Sequence, residues 1–495
     1  MGPRWAGPTP VVSDAAPRKD VRMQEVEVNP RSPVLLASLL TTEGARAFAE
    51  SGRRARAAFG DRTIWHVNAT AHGGGVAEML QTLLAYGRGS HIENRWLVLD
   101  GNPDFFAITK RLHNLLHGDP GDGGPLGGEE HAGYERVIAS NLAEMLSLIN
   151  PHDIVLLHDP QTAGMVDGLR ATGVRVAWRC HVGRDTRNDQ TDRGWAFLRP
   201  YIERADAFVF SRREYAPEWL DERRLVVIPP SIDPFSAKNR ELDPTTVSAV
   251  LATVGLVNGA DSDGPVHFER RDGTYGTVRH HAGLTTDGSP PPADARLVLQ
   301  VSRWDRLKDM AGVLTAFVAM AATGRDDVHL MLAGPDVPAV ADDPEGSAVF
   351  AECRAQWSSL PDDMRGRIHL ASVPMDDGDE NAIIINALQR HAYIVVQKSL
   401  VEGFGLTVTE AMWKARPIIA SRVGGIQDQI VHERDGLLIE PYDLDALAVS
   451  MARVLHDREL ADRLGNAARA RVRDNFLGHR HLGQYVDLFA RLSGW

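Results

Sequence analysis

The sequence that decides the fold runs from Lys398 to Gln429 and reads KSLVEGFGLTVTEAMWKARPIIASRVGGIQDQ. The apolar run before it, Tyr393–Gln397, predicts a buried strand. A turn with two glycines follows, then a helical pattern over Leu406–Lys414, a second strand over Pro417–Ala420 and a Gly-Gly turn. A strand that leads through a glycine loop into a helix presents free backbone N–H groups to an anion. This stretch therefore predicts an anion site in an α/β protein.

Two carboxylates flank the predicted anion site. Glu402 precedes the loop and Glu410 lies inside the helix, with seven residues between them. Carboxylates repel phosphate but accept hydrogen bonds well from neighbouring hydroxyls. An anion site beside two such acceptors indicates a ligand with both phosphate and sugar groups, which is the chemistry of a nucleotide sugar.

The composition is that of a soluble globular enzyme. The chain has 495 residues, of which 43% are hydrophobic and 24% charged, so two or three domains are expected. Its formal charge of −12 argues against nucleic acid or an anionic membrane as a partner. Only two cysteines are present, without metal-ligand spacing, and we see no membrane span or secretory signal. A cytoplasmic location is the expectation.

A second glycine loop lies early in the chain. A strand is predicted over Thr63–Asn68, then three glycines at 73–75, then a helix over Val76–Tyr86. The glycines lack the spacing of a dinucleotide fingerprint, which argues against NAD and hydride transfer. This loop is predicted to face a phosphate or a sugar.

Further polar residues follow predicted strands. Asp159 and His181 come directly after two strands of the first half, and Arg303 and Lys308 come after a strand of the second half. Ligands of open α/β sheets bind at the carboxyl ends of the strands. The basic pair supplies local positive charge for a phosphate.

The chain is predicted to divide into two domains. Residues 1–30 are interpreted as a flexible tail, 31–235 as a first Rossmann-like domain completed by a helix at about 478–495, and 236–477 as a second Rossmann-like domain. Residues 256–294 are interpreted as an insertion carrying a small hairpin. An acidic loop at 376–380 precedes a helix, where carboxylates serve the helix dipole, so no metal is assigned to it.

The spacing of Glu402 and Glu410 around GFGL resembles the signature of the retaining glycosyltransferases of family four. The chain is more closely similar to the trehalose glycosyltransferring synthases over roughly residues 35–490. The segments that carry this resemblance are HVNATAHGGGVAEML, LHDPQ, WRCHVG, PPSIDPFSAKN, QVSRWDRLKD, AGPDV–DDPEG, NALQR and QKSLVEGFGLTVTEAMWK. The resemblance implies a GT-B architecture, two Rossmann-like domains that face a central cleft. It further implies that the first is the acceptor domain and the second the nucleotide-sugar domain.

The resemblance also implies roles for individual residues. Arg303 and Lys308 would neutralise the distal phosphate of the donor, and His181 would donate to a sugar hydroxyl near the anomeric carbon. Glu410 would hold the ribose, and Asp159 and Asn68 would bind the acceptor glucose. Gly74 and Gly75 would approach the phosphate and sugar from the opposite domain. The donor glucose would be held by Glu402 and by the amides of Gly403, Phe404, Gly405 and Leu406.

The reaction implied is glucosyl transfer from a nucleoside diphosphate glucose to free glucose, which gives α,α-trehalose reversibly and without a metal or other cofactor. A homodimer is expected by analogy only. The alternatives are a trehalose phosphorylase that uses glucose 1-phosphate, which would leave Glu410 without a ribose, and another retaining transferase such as a sucrose or glycogen enzyme. A non-catalytic nucleotide-sugar binding module would be expected to lack one of Arg303, Lys308, Glu402 or Glu410, and all four are present. The choice between ADP- and UDP-glucose and the physiological direction stay open.

Overall fold

A computed structural model describes residues 23–71, 74–258, 264–321, 327–336 and 344–494. Within these residues the chain forms two seven-stranded sheets covered by helices, and a separate two-stranded hairpin. No helix in the described part of the chain combines the length and the apolar character needed to cross a bilayer.

The first sheet has the strand order β1-β3-β2-β4-β5-β6-β7, in which only β1 is antiparallel to its neighbour. The strands β2 to β6 are almost entirely buried, as expected for parallel strands with helices on both faces. The strands are β1 Gln24–Glu25, β2 Ile64–Asn68, β3 Asn94–Val98, β4 Ile154–His158, β5 Arg175–Cys180, β6 Ala207–Phe210 and β7 Leu225–Val227; the helices are α1 Val34–Ala37, α2 Thr42–Phe59, α3 Gly74–Gly89, α4 Pro103–Leu116, α5 Gly128–Met145, α6 Asp159–Thr162, α7 Val166–Arg170 and α8 Asp189–Ile202.

The second sheet has the order β10-β13-β12-β11-β14-β15-β16, with β10 antiparallel to β13. Its elements, with the hairpin strands β8 and β9, are α9 Pro244–Thr253, β8 His267–Glu269, β9 Tyr275–Thr277, β10 Gly283–Thr285, β11 Arg296–Val301, α10 Met310–Ala321, β12 Val328–Pro335, α11 Pro344–Ser358, α12 Asp362–Arg365, β13 Ile368–Val373, α13 Gly378–His391, β14 Ile394–Gln397, α14 Leu406–Trp413, β15 Ile418–Ser421, α15 Ile426–Gln429, β16 Leu437–Ile439, α16 Leu444–His456, α17 Arg458–Asn475 and α18 Gly478–Leu492.

In both sheets the order in which successive strands are added reverses near the centre. β2 and β4 are neighbours in the first sheet, and β11 and β14 are neighbours in the second, so the chain winds outward in both directions from each pair. The loops after these strands diverge at the carboxyl ends, where open α/β sheets bind ligands. The topology therefore brings the loops after β2, β4 and β5 to one edge and those after β11 and β14 to another.

The last helix returns to the first sheet. α18 packs on α2 and α3, and Tyr485 and Phe489 of α18 are buried among Phe59, Leu80 and Leu84. The carboxyl-terminal residues thus contribute to the core of the amino-terminal unit.

Two sequence-based interpretations need correction. The flexible tail predicted up to residue 30 does not reach that far, because Gln24 and Glu25 pair with β3 and Arg95 forms an ion pair with Glu25. Residues 1–22 lie outside the described residues. The insertion also contributes to the fold, because its segment β10 forms the edge of the second sheet, while its residues 259–263 lie outside the described part.

Residues of the insertion pair with the carboxylates of the acidic loop at 376–380. Arg270 pairs with Asp377 at 2.5 Å and Arg271 with Asp379 at 2.8 Å. Glu380, which is buried, accepts hydrogen bonds from the backbone and the imidazole of His280. These carboxylates fasten the hairpin region to the start of α13.

Candidate active site

Two glycine loops face each other across the space between the sheets. α14 begins after Gly405, which has a φ of +82° that glycine adopts without strain. α3 begins at Gly74, and a Cβ placed on Gly75 would lie 3.2 Å from Cδ1 of Leu406. The N-termini of two helices from different domains therefore meet here, an arrangement whose free backbone N–H groups suit an anion.

An ion pair joins the loop after β11 to the loop after β14, at the edge of the second sheet. Nζ of Lys308 lies 2.5 Å from Oε2 of Glu402, which also accepts a hydrogen bond of 3.2 Å from the Ser399 hydroxyl. The two charged side chains are mostly buried, with 16% and 11% exposed. A buried charge needs a partner, and here each supplies it for the other.

The Lys308 loop is held in place from behind. The Gln300 side chain donates to the carbonyl of Lys308 and accepts from the amide of Lys398, at 2.7 and 2.9 Å. The ammonium of Lys398, which is buried, contacts the carboxylate of Asp309. Asp309 has a φ of +41°, so this contact stabilises an uncommon backbone conformation directly after Lys308.

Arg303 occupies a more open place than Lys308. Its side chain is 61% exposed and lies 2.8 Å from the carboxylate of Asp305. It therefore sits at the rim of the loop, where it can turn toward a phosphate, whereas Lys308 lies inside.

Glu410 is buried on α14 between two lysines. Its Oε1 lies 3.7 Å from Nζ of Lys238, which also contacts Glu78 of α3 at 3.1 Å. Burial raises the pKa of Glu410, and the charges of Lys238 and Lys414 oppose that shift. Burial also lowers the pKa of Lys414 to about 7. Lys238 therefore connects a helix of the first unit to the predicted ribose site of the second, a role that the sequence did not reveal.

Asp159 and His181 meet at the edge of the first sheet. Oδ1 of Asp159 accepts a hydrogen bond of 2.7 Å from the backbone N–H of His181. Asp159 has a φ of +63°, and burial raises the pKa of its carboxyl to about 7. Nε2 of His181 lies 3.0 Å from Nδ1 of His158. The structure thus brings together two residues that the sequence placed after different strands.

Asn68 does not fit the predicted acceptor role. Its Oδ1 accepts from the indole of Trp96 at 2.8 Å, and its amide nitrogen donates to the carbonyl of Thr70 at 2.8 Å. Only 3% of the residue is exposed. Both ends of the side chain are engaged within the protein, so Asn68 shapes the loop after β2.

The side chain of Phe404 is likewise structural. It is buried in the core of the second domain, and its carbonyl accepts from the amide of Gln429 at 2.5 Å. Its part in a ligand site is restricted to the backbone, as are those of Gly403 and Gly405.

Two histidines near the end of α4 also approach the glycine loop. Cε1 of His117 lies 3.8 Å from the position of a Cβ on Gly403, and Nδ1 of both His113 and His117 is buried without a hydrogen-bond partner among the described residues. Burial lowers the pKa of His113 to about 3 and lowers that of His117, which the charge of Glu402 opposes. His113 and the C-cap residue His117 are four residues apart at the end of α4, a spacing that places both on one face of the helix and could have drawn attention to the pair.

The first unit clamps the glycine loop directly. The Tyr215 hydroxyl lies 3.1 Å from the carbonyl oxygen of Glu402 and 2.5 Å from that of Gly403. Asp185 accepts from the amide of Gly424 at 2.8 Å, and the guanidinium of Arg212 contacts the Gly424 carbonyl. These contacts hold the Glu402 loop against the opposite domain.

Among the described residues, no group of three or more His, Cys, Asp or Glu side chains is arranged to hold a metal ion. Glu402, Glu410 and Asp305 are paired with Lys308, Lys238 and Arg303.

The comparisons with known proteins agree with this geometry. Residues 66–217 match the family model "Trehalose synthase, N-terminal domain", and residues 378–471 match the model "Glycosyl transferases group 1". A trehalose synthase of Rubrobacter xylanophilus is 36% identical over 433 residues, which are 87% of this chain and 91% of that protein. The chain belongs to the trehalose synthase family. It is a glycosyltransferase, as the sequence resemblance implied.

The chain is also similar in sequence to a trehalose phosphorylase and in fold to a trehalose-phosphate synthase. A trehalose phosphorylase of Pleurotus pulmonarius is 24% identical over 436 residues, which are 83% of this chain and 54% of that protein. The crystal structure of a UDP-forming α,α-trehalose-phosphate synthase from Burkholderia vietnamiensis superposes with a TM-score of 0.60 at 16% identity, covering 88% of this chain and 99% of that chain. The likeness confirms the predicted GT-B fold for this member of the trehalose synthase family.

The contact between Lys398 and Asp309 yields a prediction about turnover. We expect Lys398→Met to lower the rate of sugar transfer about tenfold and to destabilise the fold by about 3 kcal/mol, because it leaves the Asp309 carboxylate without its buried partner. Steady-state kinetics well below the melting temperature would separate the two effects.

The matched control is Arg306→Met on the same loop. Arg306 pairs with Glu352 at an exposed position, with 58% and 52% of the side chains exposed, so its loss should cost less than about 1 kcal/mol. Equal kinetics for the two variants would contradict the positioning role of Lys398.

The raised pKa of Asp159 predicts opposite effects of Asp159→Asn on stability and activity. In the folded protein this carboxyl keeps its proton up to a pH of about 7, whereas in the unfolded chain it ionises near pH 4. Stability is therefore lost as the pH rises between these values, and the asparagine variant avoids the loss. We expect Asp159→Asn to melt about 2 °C higher than the wild type at pH 8 and equally at pH 4.

If Asp159 has the acceptor-binding role that the resemblance implies, the same variant will bind the acceptor sugar about tenfold more weakly at pH 8, because a carboxylate accepts hydroxyl protons better than an amide does. Melting curves and acceptor KM values at both pH values would test this pair of effects. If Asp159→Asn melted below the wild type at pH 8, that would contradict the conclusion that burying the ionised Asp159 carboxylate destabilises the folded protein.

Proposed function

We propose that the protein transfers glucose from a nucleoside diphosphate glucose to the anomeric hydroxyl of free glucose, with retention of configuration, to form α,α-trehalose. The observation that carries the proposal is the Lys308–Glu402 pair beside the glycine loop that begins α14, in a member of the trehalose synthase family.

The donor would lie between these elements. The backbone N–H groups at the start of α14 and the ammonium of Lys308 would receive the distal phosphate, with Arg303 closing from the rim. Glu402 would accept from the hydroxyls of the glucose and Glu410 from those of the ribose. Because Lys308 and Glu402 already lie 2.5 Å apart, phosphate and sugar would enter on opposite sides of one preformed pair.

The acceptor glucose would lie against the first sheet. The Asp159 carboxylate would accept from its hydroxyls, and His181 beside it would donate to a hydroxyl of the transferred sugar. The backbone of His181 is already fixed by Asp159, so the two sugars would be positioned by one connected unit.

The bond changes balance without an enzymic nucleophile. The bond between C1 of the donor glucose and the phosphate oxygen breaks, and its electron pair stays on that oxygen. The acceptor's anomeric oxygen forms the new bond from the same face and gives its proton to the leaving phosphate. The protein would contribute positioning and electrostatic stabilisation of the phosphate, and the basic pair would take the part that a divalent cation plays elsewhere.

The role of Lys308 is tested by Lys308→Ala. We expect turnover to fall at least about a hundredfold, because the developing charge on the leaving phosphate loses one preorganised cation. Arg306→Ala, on the same short helical turn, serves as the control and should keep near-normal turnover. A Lys308→Ala enzyme with near-normal turnover would refute the assigned role.

Product analysis tests the reaction itself. Free glucose would be offered with ADP-glucose, UDP-glucose or glucose 1-phosphate in separate tubes, each with and without EDTA. We expect trehalose from a nucleotide sugar and no effect of EDTA. Trehalose from glucose 1-phosphate alone would establish a phosphorylase, the second candidate, which the similarity to the Pleurotus protein favours. No trehalose in any tube would refute the acceptor assignment.

A further inference from the structure

Three histidines form a line from the interior of the first sheet to its ligand-binding edge. His66 lies within β2, His158 ends β4 and His181 follows β5, and these three strands are neighbours. Nδ1 of His66 lies 3.3 Å from Nε2 of His158, and Nδ1 of His158 lies 3.0 Å from Nε2 of His181. The successive rings are stacked, with centroids 5.5 and 5.3 Å apart. We refer to these residues as the histidine line.

The histidine line is neutral. Burial lowers the pKa of His66 to about 3, and burial with the charge of Arg179 holds the pKa values of His158 and His181 well below their usual range. A neutral imidazole carries one N–H, and each contact in the line needs one donor and one acceptor. All N–H bonds must therefore point the same way, so the tautomer of His66 determines that of His181.

A buried cation lies beside the line. The guanidinium of Arg179 contacts the hydroxyl of Tyr485 and lies 3.4 Å from Nε2 of His481. The ring of Tyr485 in turn packs edge-on against His66, at 6.4 Å between centroids. Burial and the charge of Arg179 both lower the pKa of all three histidines and so oppose a second proton on any of them.

We propose that His66 and His158 are positioning residues that fix His181 as the tautomer protonated on Nδ1. Nε2 of His181 accepts from Nδ1–H of His158, which leaves Nδ1–H as a hydrogen-bond donor for a ligand at the sheet edge. Of the two directions, this is the one in which His181 donates outward, so the direction rests on the proposed function, whereas the coupling of the three tautomers rests on the ring contacts alone.

The tautomer can be measured on the unliganded wild-type protein. Long-range ¹H–¹⁵N correlation spectra of ¹⁵N-histidine-labelled enzyme at pH 7.5 distinguish protonated from unprotonated ring nitrogens, and His181→Gln assigns the signal. We expect a protonated Nδ1 and an unprotonated Nε2 for His181. A proton on Nε2 would overturn the proposal.

His158→Phe tests the coupling, because it keeps a planar ring and removes both nitrogens. We expect the His181 signals to show both tautomers and the donor KM to rise about tenfold, as for the loss of one oriented hydrogen bond. An unchanged His181 tautomer in this variant would overturn the proposal.

The second sheet offers a matched control. His329 and His369 form a similar stacked pair, with ring nitrogens 3.0 Å apart and centroids 5.3 Å apart. Both lie near the amino ends of their strands, β12 and β13, away from the carboxyl edge of the sheet. His369→Phe should disturb packing comparably and leave the His181 tautomer and the donor KM unchanged; a shift in either would contradict a role specific to the histidine line.

The outcomes also separate this proposal from the function proposed above. The predicted tautomer in an enzyme that makes no trehalose would retain the positioning role and refute the reaction. Trehalose synthesis with a proton on Nε2 of His181 would retain the reaction and refute the positioning role.

Discussion

The ion pair between Lys308 and Glu402 is the interaction on which the rest of the cleft depends. Two opposite charges that are mostly buried require accurate positioning, because either one alone would be costly. The protein positions them from both sides. Gln300 and the Lys398–Asp309 contact fix the lysine loop, and the Tyr215 hydroxyl fixes the loop that carries Glu402.

The topology explains why these groups meet. β11 and β14 are adjacent at the centre of the second sheet, so the loops that follow them diverge and leave a space between their residues. The first sheet has the same arrangement around β2 and β4, with Asp159 and His181 at its edge. Two such edges, joined through Lys238, Tyr215 and Arg212, make a cleft with a cation on one wall and hydroxyl acceptors on both. In the proposed function, this local arrangement lets a chain with a formal charge of −12 provide a phosphate site.

Sequence patterns predicted the positions that depend on short-range structure. Lys308, Glu402, Asp159 and His181 follow apolar strands and lie in the structure after the carboxyl ends of β11, β14, β4 and β5, and Glu410 lies in the predicted helix, now α14. Their roles toward a ligand stay predictions. Lys238, Tyr215 and the His113–His117 pair were missed, because they approach the cleft only after the domains pack against each other.

The errors have the same physical origin. The resemblance implied an acceptor role for Asn68, but its partner Trp96 lies 28 residues away in the chain and could not be foreseen from the local pattern. The tail and the insertion were judged by composition, whereas Glu25 and the β10 segment are ordered by pairing with distant strands.

The most direct test of this account is a crystal structure with a nucleoside diphosphate bound. The account predicts that Nζ of Lys308 lies within about 3 Å of an oxygen of the distal phosphate, with the amides at the start of α14 on the same group and the ribose hydroxyls on Glu410. A phosphate bound elsewhere, with Lys308 contacting only Glu402, would contradict it.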